Sequence, residues 1–95
     1  MVVLTPGAMT RLREKQDSAF VERAIHELVL STWNGRKSRI EVSRLLAKIE
    51  NIAGYKIYDA SILITRVLDK YSKSGWSTYE DHFYIILEDA AEAAD

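Results

Sequence analysis

Residues 35–87 read GRKSRIEVSRLLAKIENIAGYKIYDASILITRVLDKYSKSGWSTYEDHFYIIL. From Ser43 to Ala53, apolar Leu45, Leu46, Ile49, Ile52 and Ala53 recur on one side of a helix, and Arg44, Lys48 and Asn51 on the other. Gly54 stops that helix, and Tyr55–Tyr58 reads as a turn. Asp59 is placed as the N-cap of a further helix reaching about Ser72. Its inner face is Ala60, Leu63, Ile64, Val67, Leu68 and Tyr71, and its outer face includes Ser61, Ile62, Thr65, Arg66, Asp69 and Lys70. After Ser74-Gly75 the period changes to two. Trp76–Tyr79 and His82–Leu87 read as strands on either side of Glu80-Asp81.

Upstream of this stretch, Phe20, Val21, Ala24, Ile25 and Leu28 predict a first helix from about Asp17 to Trp33, ended by Asn34-Gly35. Leu30 falls on its otherwise polar side, near His26 and Trp33, and needs cover from an N-terminal arm, the hairpin or a second subunit. Residues 1–16 read as an arm with a turn at Thr5-Pro6-Gly7. Two readings stand for the basic loop Arg36-Lys37-Ser38-Arg39 and its sequel: a short strand over Ile40–Val42, or a capping box from Ser38 to Glu41 that starts the next helix. The resulting organisation is an arm (1–16), one folded domain (17–87) and an acidic tail (88–95).

Ninety-five residues, 47% apolar and 28% charged, fit one small globular domain. Cysteine is absent, so disulfides and thiolate metal sites are excluded. Met1–Leu4 is too short an apolar run for a signal peptide or a membrane span, and a soluble cytoplasmic protein is expected. The net charge of -1 conceals a segregation. Residues 35–73 carry nine basic and four acidic groups, whereas residues 74–95 carry six acidic groups and no basic one. Local charge governs attraction to phosphate, although the same charges would also serve as solvated faces.

The order of short polar segment, helix, turn, helix and hairpin across Gly35–Leu87 resembles the winged helix-turn-helix superfamily. The resemblance implies a small α+β domain of three main helices plus a two-stranded hairpin wing. It implies that the third helix enters the major groove of double-stranded DNA, with Ser61, Ile62, Thr65 and Arg66 near base edges and Arg44, Lys48, Lys56 and Lys70 on phosphates. A non-catalytic regulator of transcription or replication, working as a homodimer, is the use that follows. Two residue choices depart from that pattern. Asp69 lies mid-face on the third helix unless Lys73 or Arg66 pairs with it, and Glu80-Asp81 makes the hairpin tip acidic. The rival expectation is a protein-interaction adaptor on the same scaffold, whose acidic hairpin and tail bind a basic partner. A subunit of a larger assembly is a third.

Catalytic patterns add nothing. His26 and His82 each stand alone in their segments, without metal-ligand spacing, and neither a metal nor a cofactor is expected. No glycine-rich loop opens a helix, and no serine sits in a nucleophile elbow. Glu80-Asp81 reads as a solvated pair rather than an acid–base couple. The hairpin aromatics Trp76, Tyr79, Phe83 and Tyr84 are expected to pack over the helices rather than stack on unpaired bases.

Overall fold

The structure, a computed structural model, describes residues 3–93. Its first and longest helix, α1 (Pro6–Thr32), takes in most of the segment read as an arm. Thr5-Pro6 is not a free-standing turn but a helix start. The Thr5 hydroxyl accepts the Ala8 N–H at 3.1 Å, and Pro6 occupies the first turn, where a missing N–H costs nothing. Val21, Ala24, Ile25, Leu28 and Val29 are the buried residues of α1, so its N-terminal half runs past the core. Arg13 fastens that half to the body. Its guanidinium lies 4.1 Å from the centroid of the Tyr55 ring, and its Nε is 3.4 Å from Asp17. The Tyr55 hydroxyl donates to the same Asp17 carboxylate, which pushes the tyrosine's pKa up.

Asn34 turns the chain at the end of α1. Its Oδ1 accepts the N–H groups of Arg36 and Lys37 at 2.9 and 2.8 Å, and Gly35 adopts φ +93°, where a side chain would be strained. Of the two readings of the next segment the strand is found, but earlier than Ile40–Val42: β1 runs Lys37–Glu41 and leads directly into the helix α2 (Val42–Ala53), which takes Val42. There is no capping box at Ser38. That residue is fully buried in the strand, where its hydroxyl donates to the Val29 carbonyl at 2.9 Å and lies 3.0 Å from the Thr32 hydroxyl. A strand side chain thus satisfies one of the carbonyls that the last turn of α1 leaves open.

Gly54 caps α2 in the left-handed region, φ +80°, with its N–H on the Glu50 carbonyl at 2.8 Å. Helix α3 (Ala60–Lys73) follows. Asp59 flanks it as expected, but its side chain makes no cap hydrogen bond. The hairpin then forms from β2 (Trp76–Glu80) and β3 (Tyr84–Asp89). Asp81 shapes its turn: Oδ1 accepts the N–H groups of Phe83 and Tyr84, both at 2.7 Å, and these bonds hold the carboxyl below its ordinary range.

The two-stranded wing expected from sequence is part of a three-stranded antiparallel sheet ordered β1-β3-β2. Ile40 lies opposite Ile85 and Ser38 opposite Leu87, which puts the alternating apolar set of β3 against the helices. Of the tail read at 88–95, Glu88 and Asp89 belong to β3 and Ala90–Ala93 form a single helical turn, α4, while residues 94–95 lie outside the described residues. The core joins α1, α2, α3 and the inner sheet face through Ile25, Ile40, Leu45, Ile49, Val67, Ile85 and Leu87. No helix among the described residues is long and apolar enough to cross a membrane.

Leu87 is completely buried on the central strand. Leu87→Ala is expected to destabilise the fold by about 2–5 kcal/mol in denaturant unfolding. Ser38→Ala, which removes almost no volume but strips the Val29 carbonyl of its donor, is expected to cost about 1–3 kcal/mol.

Candidate nucleic-acid interface

Helix α3 turns Ala60, Leu63, Ile64, Val67 and Leu68 inward, so Ser61, Ile62, Thr65, Arg66, Asp69 and Lys70 are exposed, as their spacing predicts. The exposed residues do not form one uniform face. On one flank, Ser61 and Thr65 border the hairpin. The Thr65 hydroxyl lies 3.1 Å from the Ser61 carbonyl and 3.0 Å from the Glu80 carboxylate, so it is engaged within the chain. These residues line a groove with Leu46, Asp81 and His82, and the carboxylates give that side a negative field.

The other flank of α3 carries Arg66 and Lys70 and faces α1. Arg11 and Lys15, on the extended N-terminal half of α1, line the same shallow groove as Arg66 and Lys70, with Glu14 and Glu22 interspersed. A second groove beside it, between α1 and the α2–α3 turn, is lined by Arg13, Lys56, Ile62 and Arg66, with Asp17 and Asp59. Ile62 remains 53% exposed between the two flanks, and Tyr58 beside the start of α3 is 92% exposed. The basic strip therefore combines α3 with α1. Arg11 and Lys15 were missed because residues 1–34 are neutral in total. The signal that would have placed them is the Thr5-Pro6 helix start, which extends α1 past α3.

Ion pairs redistribute the other cations. Lys73 Nζ is 3.0 Å from Asp69, the i+4 pair that neutralises the carboxylate at mid-face. Lys70 Nζ is 3.5 Å from Glu22 of α1, with both side chains largely in solvent. Lys48 points to α1 and lies 3.1 Å from Glu27, which Arg23 also contacts at 3.3 Å. Arg44, Lys56 and Arg66 have no carboxylate partner within salt-bridge distance among the described residues. Arg39, on the outer face of the sheet, stacks 4.0 Å from the Tyr84 ring centroid.

The hairpin aromatics divide. Trp76 packs inward, edge-to-face with Tyr71 and with Trp33, at 5.7 and 5.4 Å between centroids. Tyr79 and Phe83 stay 55% and 74% exposed, and Tyr84 lies on the outer face of the sheet beneath Arg39. The expectation that all four cover the helices is corrected by strand register. Tyr79 and Tyr84 fall on the opposite side of the sheet from Ile85 and Leu87. Leu30, read as needing cover, is 67% exposed, whereas Trp33, just past the end of α1, is against the hairpin through Trp76.

The Lys48–Glu27 pair has a pH signature. The Lys48 ammonium and then the Arg23 guanidinium hold the Glu27 carboxyl below its ordinary value. A depressed carboxylate contributes stability that is present above its unfolded value and lost as pH falls through the folded one. Lys48→Met should therefore move the Glu27 titration, followed by carboxyl-carbon NMR, upward toward the ordinary range. An unmoved titration would return Lys48 to the set of cations free to meet phosphate. No protein-family model, curated protein or solved structure matches this chain.

Proposed function

We propose that this chain is a winged-helix protein that binds double-stranded DNA without catalysis, placing α3 in the major groove. The element order supports the reading: helix, strand, helix, helix, then a hairpin whose strands join the first strand in one sheet. The observation that carries it is the strip in which Arg66 and Lys70 of α3 stand beside Arg11 and Lys15 of α1, next to exposed Ile62. Cations on two elements flanking an exposed aliphatic group suit a phosphate backbone on either side of a thymine methyl or other base edge.

On this reading the duplex lies toward α1 and away from the hairpin. The Glu80 and Asp81 carboxylates would repel phosphate at the usual wing position. Arg66 and Ile62 face bases, with Ser61 at the margin, and Thr65 serves the fold by meeting Glu80. Lys56 and the α1 cations meet phosphates, whereas Arg44, on α2, lines neither basic groove. Lys70 contributes by exchanging Glu22 for phosphate, a cheap exchange because the exposed pair contributes little. Regulation of transcription or replication by occupying a site is the natural use of such a module.

A second reading draws on the hairpin tip, where Glu80 and Asp81 sit beside exposed Tyr79 and Phe83. An acidic and aromatic tip suits a basic protein partner, as an adaptor would use it.

Gel-shift titration of random duplex DNA across a salt series separates the two. DNA binding predicts a log–log slope of about −0.9 per neutralised phosphate. Lys15→Ala and Lys56→Ala should weaken all sequences alike. Arg66→Ala should relax preference at one base position by roughly 1–3 kcal/mol in a binding-site selection. Glu80→Gln should leave affinity unchanged or raise it. Salt-independent binding, or no binding at low salt, would discard the DNA reading in favour of the hairpin tip.

A further inference from the structure

The solvent side of α1 carries a second periodicity, distinct from the one that builds the core. Counting from Met9 in steps of three and four residues reaches Leu12, Gln16 and Ala19, and then Arg23, His26, Leu30 and Trp33. This is a 3.5-residue repeat sustained along the whole helix, the spacing of a left-handed coiled-coil seam. Every residue on it is exposed, including Met9 at 55%, Leu12 at 50% and Leu30 at 67%. The seam lies opposite the buried positions Val21, Ile25 and Leu28, and the cations of the α3 strip lie off to its side.

We propose that this seam pairs with the same seam of a second copy, antiparallel, about a two-fold axis near Val21. The middle of the seam selects that direction. Its apolar residues lie at the two ends and its polar ones in the middle. Antiparallel pairing sets Leu12 against Leu30 and Met9 against Trp33 of the other copy. In the middle it sets Gln16 against His26, two groups that can hydrogen-bond, and the small Ala19 against the long Arg23. A parallel pair in register would instead oppose Arg23 to Arg23 and bury the two charges together.

The charge of α1 favours the same direction. Its first part, 6–16, carries Arg11, Arg13 and Lys15 against Glu14 alone, whereas 17–32 carries Asp17, Glu22 and Glu27 against Arg23 alone. Antiparallel helices lay the positive half of each on the negative half of the other, and parallel helices lay like on like. The pairing also covers Leu30 and the free edge of Trp33, and it gives the projecting N-terminal half of α1 a surface to pack on. The matched stretch, Met9 to Trp33, is about 36 Å long at 1.5 Å per residue, several heptads of contact. A C2 pair of this kind makes the contact isologous and closed, so it stops at two copies.

The absence of cysteine makes the register directly readable. Leu12→Cys and Leu30→Cys are single exposed changes, prepared separately and then mixed under mild oxidation. The expected result is a disulfide between the two variants in the mixture and none in either alone. Sedimentation of the unmodified chain should show a dimer at micromolar concentration, and Leu12→Asp should convert it to a monomer with an unchanged circular dichroism spectrum. A monomer at high micromolar concentration, or cross-linking of Leu12→Cys with itself, would overturn the proposal. No DNA is present in these measurements, so their failure and that of the DNA reading are distinguishable.

Discussion

The burial of one side of α1 is the constraint on which the remaining elements depend. Val21, Ala24 and Ile25 are wholly inaccessible, and α1 packs on α2, α3 and β1 alike. A domain of this size has one small core, so each element must present its apolar face to that helix. The β-branched and leucine side chains of the inner sheet face, Ile40, Ile85 and Leu87, complete the core. Polar links then fix the angle of approach. Ser38 ties the sheet to the last turn of α1, and Tyr55 with Arg13 and Asp17 ties the α2–α3 turn to its first half. Each link satisfies groups that would otherwise be stranded at a helix end or a half-buried surface.

Much of this was legible from residue order. The helix through Leu46, the helix through Val67, and the paired strands after Gly75 follow from periods near 3.6 and 2 and from glycines that the chain needs in left-handed turns. Three matters were not decided locally. Thr5-Pro6-Gly7 fits a turn as well as a helix start, and only the run of helix-tolerant residues after it settles the outcome. Lys37–Glu41 is too short to identify itself as a strand, because what stabilises it is the pairing with β3, far along the chain. The facing of Tyr79 and Tyr84 depended on register, and a slip of one residue reverses every side chain.

Charge was the least legible property. Counting by segment located a basic middle and an acidic end, but folding regrouped them. Lys48 and Lys70 reach carboxylates of α1, while Arg11 and Lys15, from a segment neutral in total, arrive beside Arg66. Glu80 crosses back to Thr65 and turns one flank of α3 acidic. The domain thus presents a polarised surface, basic where α3 meets α1 and acidic where α3 meets the hairpin. Net charge near zero is compatible with strong local fields of both signs.

The strand order has a kinetic side. β3 is the middle strand of the sheet yet the last to be made, and β1, which it must reach, lies on the far side of two helices in sequence. As the chain leaves the ribosome, α1, α2 and α3 can form from local contacts, but β1 has no partner until Tyr84–Asp89 has emerged. Closing that long loop is an entropic step that local helix formation does not repay, so the sheet sets the pace of folding. Until it closes, Ile40 lacks Ile85 opposite it. The nascent chain can therefore hold its helices before it can hold its sheet, and the core closes only once Tyr84–Asp89 is available to β1.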